Sequence, residues 1–248
     1  MQPVVIVHNP VSGSGRAARL AARAGQALAA LGIAVRQEPT AARGDGAAIA
    51  GRWKDRCRAL LAVGGDGTLR EVLEGLSGSP TPIATLPAGT SNLLARALGL
   101  RPDPLQAAAV IAAGRTRCLD ALRIETLGSA PRTGVLFVGA GFDAAIVADV
   151  AARRARAVAS GRSGNLSFAA YALPALRAFL AWRPPALALA IDGAPLAGGP
   201  WGWVLAANLG LYAYGMRLGA GIAPDDGVLD LLALRARSRL ALDRKSVV

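Results

Sequence analysis

Histidine, cysteine and aromatic side chains are scarce in this sequence of 248 residues. It contains one histidine, two cysteines and 4% aromatic residues. Cys57 and Cys118 are isolated and form no Cys-X-X-Cys pair, and His8 is the single histidine. This scarcity excludes a zinc site built on several histidines or on paired cysteines, and no nucleophile motif supports a triad resting on His8 alone. With so few aromatics and no recognised nucleic-acid motif, we expect no nucleic-acid partner.

Long apolar runs are also missing. A membrane-spanning helix needs roughly 18 uninterrupted apolar residues, and the longest candidate, 201–216, is broken by Gly202, Asn208, Gly210 and Gly215. The first residues carry no basic segment of the kind that opens a signal peptide. Hydrophobic residues make up 53% of the chain and charged residues 18%, which favours a folded core over disorder. We therefore expect a cytoplasmic protein.

The charge is strongly unbalanced, with a formal net charge of +12. Arg16, Arg19 and Arg23 share one face of a predicted helix. Two interpretations stay open: a solvated helix surface, or attraction to anionic lipids and nucleotide phosphates. The second predicts peripheral contact with an anionic membrane at its inner face. A second arginine cluster comprises Arg153, Arg154, Arg156 and Arg162.

Strands and helices alternate in the first half. Short apolar runs predict strands, and apolar residues at helical spacing predict the segments between them. Alternation of this kind predicts an α/β domain, a Rossmann-like parallel sheet covered by helices on both faces. The predicted strands are 4–7, 33–37, 59–63 and 82–86, and the predicted helices are 15–31, 47–54, 69–76, 92–98 and 105–113.

The pattern changes after Gly114. Short β segments separated by turn residues replace the alternation, which predicts a mainly antiparallel second domain. A helix-rich insert is predicted over 142–182. We place a boundary near residue 115, with a nucleotide-binding domain at 1–115, a β-sandwich domain at 116–242 and a non-native tail at 243–248. The predicted β segments are 118–126, 135–139, 186–191, 203–207 and 228–233.

The most specific motif is the turn Gly64-Gly65-Asp66-Gly67-Thr68, between a predicted strand and a predicted helix. Glycines there allow positive φ and close approach of a ligand to the backbone. A helix N-terminus suits a phosphate group. A carboxylate among them repels anions, so Asp66 is expected either to act through Mg²⁺ or to remove a proton from a nucleophile.

Turns of similar composition follow the other predicted parallel strands. They comprise 9–13, the turn around Thr40, and 87–92. Each read alone is also compatible with an ordinary turn, in which Thr90 and Ser91 cap the following helix and Asn92 bonds the turn. Ligands of parallel sheets bind at the carboxyl ends of the strands, so turns at one edge favour a shared site.

Together these motifs resemble the catalytic domain of the bacterial diacylglycerol kinase family, which is related to sphingosine kinases and more distantly to NAD kinases. The resemblance covers nearly the whole chain in family order. GGDGT alone is shared with NAD kinases, whereas the N-terminal and C-terminal motifs are not. The matching stretches are NPVSG at 9–13, GGDGTLREV at 64–72, LPAGTSNLLARALGL at 86–100, CLDALRI at 118–124, GAGFDAAIV at 139–147 and APDDGVLDLL at 223–232.

The resemblance implies an ATP- and Mg²⁺-dependent lipid kinase that phosphorylates a lipid alcohol such as diacylglycerol. It implies that Asp66 lies at the phosphates and that Asp120 belongs to the same magnesium–water network, both with catalytic roles. It further allows a homodimer. The residues implied in ATP binding are Asn9, Thr40, Gly64, Gly65, Gly67, Thr68 and Thr90.

Two further sites follow from the resemblance. Asp226, with the carbonyls of Ala223 and Val228, matches a structural cation site, and oxygen ligands of this kind suit Mg²⁺. Asp143 is expected either near the lipid head group or in a charge interaction with a helix N-terminus.

The sequence also departs from the family pattern. Leu93 stands where many members have an aspartate, and the chain ends before a family segment that carries a glutamate. We therefore expect a fragment of a longer protein. Two alternatives to the lipid kinase remain: an NAD kinase-like enzyme, and a nucleotide-binding module with weak catalysis.

Overall fold

The chain forms two compact units. In our computed structural model the first comprises Met1–Leu136 and Asn208–Gly227, and the second comprises Phe137–Ala207 and Val228–Val248. The structure describes residues 2–159, 183–212, 216–219, 221–238 and 241–242. The division into units does not test the predicted domain boundary near residue 115, which stays a prediction. The suspected tail at 243–248 lies outside the described residues.

A four-stranded parallel sheet organises the first unit. Its order is β2-β1-β3-β4, and each neighbouring pair runs parallel. The two central strands are buried along their whole length, as expected when helices cover both faces. The predicted α/β class is therefore confirmed for this unit. The strands are β1 (Val4–His8), β2 (Val35–Pro39), β3 (Ala59–Gly64) and β4 (Ile83–Pro87).

Alternating side chains of β1 divide the hydrophobic core into two halves. Val4 and Ile6 pack in one half with residues of α1 and α5, while Val5 and Val7 pack in the other with residues of α2 and α3. This follows from the two-residue period of a strand. The helices of this unit are α1 (Arg16–Ala30), α2 (Asp45–Trp53), α3 (Asp66–Gly75), α4 (Leu93–Ala97) and α5 (Pro104–Ala113).

The first unit also contains a short hairpin and a returning segment. Strands β5 (Leu122–Ile124) and β6 (Arg132–Gly134) pair antiparallel. Leu209 of the returning segment 208–227 is buried in the same core half as Val135. Residues distant in the sequence therefore complete this unit.

The second unit is built on an antiparallel sheet of order β11-β10-β7. Trp201, Val204 and Ala233 form its buried core. The antiparallel second half is thereby confirmed. Helix α6 (Phe142–Ala159) begins the predicted helical insert, and 160–182 lie outside the described residues. The strands are β7 (Phe137–Gly141), β8 (Ala190–Ile191), β9 (Ala194–Pro195), β10 (Trp203–Ala207), β11 (Asp230–Leu234), β12 (Ala236–Ser238) and β13 (Ala241–Leu242).

Several element bounds differ from the sequence prediction. Helix α3 begins at Asp66, three residues before the first apolar position that marked it, because its first turn consists of glycine and polar residues. The β segment predicted at 118–126 shortens to Leu122–Ile124, because Asp120 bonds instead to the 224–227 turn. None of the helices in the described ranges is long and apolar enough to span a bilayer.

Candidate functional site

Backbone hydrogen bonds join the turns at the carboxyl ends of the four parallel strands. The Thr40 amide donates to the His8 carbonyl at 2.9 Å, which joins the β2 turn to β1. The Asn9 amide donates to the Val63 carbonyl at 3.3 Å, and the Ala88 amide to the Gly64 carbonyl at 2.8 Å. The predicted turns thus meet along one edge, the place where parallel sheets bind ligands.

Glycines let three of these turns, those after β1, β3 and β4, approach one another closely. A Cβ added to Gly89 would lie 2.6 Å from the Gly65 Cα, and one added to Gly13 would collide with the Ala88 carbonyl. At Gly67, in the first turn of α3, no described atom lies within 4 Å of an added Cβ. The edge therefore combines a tightly packed glycine contact with open space directly beside the N-terminus of α3.

The conformation of the glycine turn differs from our expectation. Gly65 has φ −95° and ψ −175°, an extended backbone that any residue adopts, so the predicted positive φ is wrong there. Positive φ occurs instead after β1, at Gly13, Ser14 and Gly15. The tighter steric restriction in this contact is at Gly89, since a Cβ added to Gly65 would lie 3.4 Å from the Gly89 Cα, about van der Waals distance.

The carboxylate of Asp66 faces the start of α4. Burial raises the pKa of this carboxyl above its ordinary value of 3.8. The backbone amides of Leu93, Leu94 and Asn92 favour its charged form and oppose the rise without cancelling it. Asp66 therefore takes up a proton more readily than an exposed aspartate.

The fourth turn is fixed by Asn92. This residue has φ 47° and is the N-cap of α4, so the expected capping by Thr90 or Ser91 is wrong. Its Oδ1 accepts from the Gly89 amide at 3.0 Å and its Nδ2 donates to the Gly89 carbonyl at 2.7 Å. Asn92 therefore bonds the turn as predicted. Thr90 itself is exposed.

Asp120 is held by the returning segment of the same unit. Its Oδ2 accepts from the Gly227 amide at 2.7 Å, and its own amide donates to the Pro224 carbonyl at 2.7 Å. The buried Asn208 donates from Nδ2 to the Asp120 carbonyl at 3.0 Å and to the Val135 carbonyl at 3.2 Å. Asp120 therefore has a fixed orientation.

The remaining predicted positions are spread over the chain. Asp226 and Val228 have exposed side chains, and Ala223 is partly buried. Asp143 is a buried residue of the first turn of α6, close to Gly139 of its own unit. Within the described ranges no group of three or more His, Cys, Asp or Glu side chains is placed to hold a metal ion. The roles of these four residues stay predictions.

Sequence reasoning missed two residues that position the site. Asn208 lies in an apolar stretch and was noted only as an interruption of it. Glu71 lies within the glycine-turn motif, five residues after Asp66, and its carboxylate accepts two backbone hydrogen bonds from the loop that follows Thr40. A charged residue inside a motif was the available signal for Glu71.

Comparison with known proteins agrees with the fold and the motifs. A sequence model of the diacylglycerol kinase catalytic domain matches residues 3–124. A second model, the YegS C-terminal NAD kinase beta sandwich-like domain, matches residues 137–245. The two matches account for most of the chain, in the order that the motifs predicted.

Individual relatives carry the same description. A diacylglycerol kinase of Mycobacterium tuberculosis is 31% identical over 148 residues, which are 58% of this chain and 47% of the relative. One of Bacillus subtilis is 34% identical over 125 residues, 48% of this chain and 41% of the relative. The aligned regions thus span less than half of these relatives.

Solved structures extend the likeness over nearly the full chain. A putative diacylglycerol kinase from Bacillus anthracis str. Sterne superposes with a TM-score of 0.71 at 22% identity, covering 97% of this chain and 77% of that one. Another structure from that organism gives a TM-score of 0.69 at 18% identity, with coverages of 97% and 75%. At these identities the likeness shows the fold. With the two matched sequence models, it follows that residues 3–124 belong to the diacylglycerol kinase catalytic-domain family and that residues 137–245 resemble the YegS C-terminal domain.

Proposed function

We propose that the protein is an ATP- and Mg²⁺-dependent lipid kinase that transfers the γ-phosphoryl group to the hydroxyl of a lipid such as diacylglycerol. The observation that carries this proposal is the meeting of the Gly64–Thr68 turn with the Gly89 turn at the start of α3, inside the region matched by the catalytic-domain model. Family membership supports a lipid acceptor.

The nucleotide phosphates would bind at the N-terminus of α3. Unpaired amides and the helix dipole favour anions there, and the open space at Gly67 leaves room for them. Asn9 and Thr40 border the same edge through the turns after β1 and β2. Gly65 and Gly89 supply a backbone surface without side chains, which suits close approach by a phosphate group.

The carboxylates fit a magnesium ion that the nucleotide brings with it. Mg²⁺ is usually held by one or two carboxylates together with substrate phosphates and water. Asp120 would supply one, and Asp66 would either supply a second or act as the base, while Leu93 supplies none. When bound, the ion would neutralise charge on the transferred phosphoryl group. Asp226, Ala223 and Val228 would hold a separate structural cation.

The chemical step is a phosphoryl transfer. The lipid hydroxyl oxygen forms a bond to the γ-phosphorus, the bond to the β–γ bridging oxygen breaks, and ADP leaves. Asp66 is proposed to take the hydroxyl proton, because burial raises the pKa of its carboxyl and makes it a better base than an exposed aspartate. The amides of Leu93 and Leu94 favour the charged form of that carboxylate.

A second candidate function is a nucleotide-binding module with weak catalysis. Two observations favour it: Leu93 stands where a carboxylate is expected, and the Asp120 carboxylate already accepts a backbone hydrogen bond. This module would bind ATP in the same turns and transfer phosphate slowly or not at all.

Lipid access is proposed to involve an anionic membrane surface. Arg16, Arg19 and Arg23 are exposed on α1, and among the described residues no carboxylate forms an ion pair with them. A row of unpaired cations is attracted to anionic lipid head groups.

An acceptor screen tests the proposed function. Purified protein is incubated with γ-labelled ATP, Mg²⁺ and, separately, diacylglycerol, polyprenol-like alcohols, sphingoid bases, phosphatidylglycerol and NAD. We expect label in at least one lipid product and none in NADP. Label in NADP alone would favour the NAD kinase alternative, and ATP binding without any labelled product would favour the binding module.

A further inference from the structure

Glu71 joins two turns of the candidate site from a position outside it. It lies on α3, and its carboxylate accepts from the Gly44 amide at 3.0 Å and from the Gly46 amide at 3.1 Å. Gly44 is the N-cap of α2, with φ 95° and no side-chain cap of its own. Glu71 therefore satisfies the unpaired amides of α2 from the neighbouring helix, one with each carboxylate oxygen.

The segment held in this way is the loop that carries Thr40. Asp45 accepts from the amides of Ala41 and Ala42 at 2.8 Å each, which closes the loop on itself. At its other end the Thr40 amide donates to the His8 carbonyl. The loop is thus anchored to β1 through Thr40 and to α3 through Glu71, and Thr40 itself is buried.

The packing of α2 on α3 leaves little freedom at this contact. A Cβ added to Gly46 would lie 2.9 Å from both the Cβ and the Oε2 of Glu71. A Cβ added to Gly75, one turn further along α3, would lie 2.7 Å from the Ala50 Cβ. Because the two helices contact each other at glycines, the space for the side chain at position 71 is narrow, and a longer or bulkier side chain would not fit there.

We propose that Glu71 is a positioning residue that couples the Thr40 turn to the glycine turn and so sets the affinity for ATP. This inference rests on the proposed nucleotide site, because both turns border the nucleotide there. Glu71 lies on the same helix as Asp66 and Gly67, but its carboxylate accepts hydrogen bonds from Gly44 and Gly46. It therefore affects ATP binding indirectly, by positioning the loop that carries Thr40.

Glu71→Gln is the first test, with Glu74→Gln as its matched control on the same helix. Gln keeps the length of the side chain but offers one acceptor and one donor to two donating amides. We expect the Kd and the KM for ATP to rise roughly tenfold, the equivalent of one charge-assisted hydrogen bond, with kcat within about twofold of the parent. Glu74 pairs with Arg70 of α3, and the Glu74→Gln variant should leave the Kd and the KM for ATP unchanged.

Gly46→Ala approaches the same contact from the opposite helix, with Gly51→Ala as its control. The added methyl group at residue 46 must displace Glu71, whereas at residue 51 the nearest neighbouring atom is the Gly75 carbonyl oxygen at 3.9 Å. We expect weaker ATP binding and faster hydrogen exchange at the Gly44 amide for Gly46→Ala, and parent behaviour for Gly51→Ala. This pair carries the test if Glu71→Gln fails to fold.

The possible outcomes distinguish the positioning role of Glu71 from the proposed nucleotide site on which it rests. A parent protein that does not bind ATP in calorimetry refutes the nucleotide site, and the inference with it. A parent that binds ATP, with Glu71→Gln and Gly46→Ala binding equally tightly, refutes the positioning role alone. A fall in kcat at constant KM would also overturn the positioning role, because it would place Glu71 in the chemical step.

Discussion

The backbone amide of Leu93 lies beside the carboxylate of Asp66 and favours its charged form. Leu93 is the first residue of α4 and its side chain is buried, in a position where many family members are expected to carry an aspartate. This interaction involves the backbone amide and needs no particular side chain, so it is present with leucine at this position. It links Asp66, at the start of α3, to the start of α4.

Asp66→Asn should reduce catalysis with little change in stability. Loss of a charged group in the phosphoryl-transfer site typically lowers the rate by roughly 10²–10³-fold. Asn keeps one acceptor oxygen, is about as favourable as Asp at a helix N-terminus and removes a buried charge, so the melting temperature should change by less than about 2–4 °C. Steady-state kinetics and thermal unfolding measure the two effects separately.

Asp103→Asn is the control for that variant. Asp103 caps α5, where its Oδ1 accepts from the Leu105 amide at 2.9 Å and from the Gln106 amide at 3.3 Å. Its replacement by Asn, which is about as favourable at an N-cap, should also change the melting temperature little, while kcat per folded molecule stays unchanged. Equal losses of kcat in both variants would assign the effect of Asp66 to stability.

The pKa values of Asp66 and Asp45 should be shifted in opposite directions from 3.8. Burial raises the pKa of Asp66, whereas the amides of Ala42 and Ala41 lower the pKa of Asp45. Between 3.8 and the raised pKa, the folded state holds a proton on Asp66 that the unfolded chain has released. The contribution of Asp66 to the free energy of unfolding therefore falls as pH rises through that window.

Carbon-detected NMR of the side-chain carboxyls measures both groups in one titration. The assignments follow from Asp66→Asn and Asp45→Asn. An Asp66 carboxyl that titrates at or below 3.8 would contradict the desolvated environment assigned to it, and would remove the argument for its role as a base.

Gly65→Val should abolish ATP binding through steric exclusion. The extended backbone of Gly65 accepts a valine, but its Cβ would already contact the Gly89 Cα at 3.4 Å. The additional methyl groups must enter the space between the two turns or the space proposed for the phosphates. Calorimetry with ATP on the folded variant checks this, and parent-like affinity would rule out a phosphate site at this turn.

Binding to anionic vesicles should weaken as salt rises. The Debye length falls from about 10 Å at 0.1 M to about 3 Å at 1 M, which screens exposed arginines. Replacing Arg16, Arg19 and Arg23 together by glutamine should weaken binding and flatten the salt dependence. Vesicle co-sedimentation measures both quantities.

The matched control replaces three arginines that are already paired with carboxylates. Arg52, Arg117 and Arg123 bond to Glu38, Asp225 and Glu125, respectively. The triple glutamine variant changes the net charge equally but should affect vesicle binding less. Equal losses in both variants would mean that total charge, and not the α1 face, attracts the membrane.

Sequence periodicity was sufficient for the parallel sheet and for the position of the glycine turn. Val4–His8 and Ala59–Gly64 are continuous apolar runs, which predict central strands directly. The contact between Asp66 and α4 could not be predicted from the sequence, because it depends on how the turn after β4 packs against the turn after β3. The conformation of Gly65 was equally hidden, because glycine is compatible with both signs of φ.

The predicted β segments after residue 115 illustrate the same limit. Strand β10 matched its predicted bounds at Trp203–Ala207, where the pattern is clear. The segment 118–126 has comparable β propensity, yet most of it is not a strand, since the Asp120 amide and carboxylate bond to residues more than 100 positions later. Pairing between such distant segments leaves no local periodicity to detect.

The most direct test of the nucleotide site is the affinity of Gly67→Ala for ATP, compared with Gly51→Ala. Both glycines lie in helices, and both have room for an added methyl group. Only at Gly67 would that methyl group enter the space proposed for the phosphates. Each variant should fold at least as stably as the parent, because alanine favours helix over glycine by about 0.5–1 kcal/mol. Calorimetry should show ATP binding weakened roughly tenfold or more by Gly67→Ala and unchanged by Gly51→Ala. Equal affinity of Gly67→Ala and the parent would contradict a phosphate site at the N-terminus of α3.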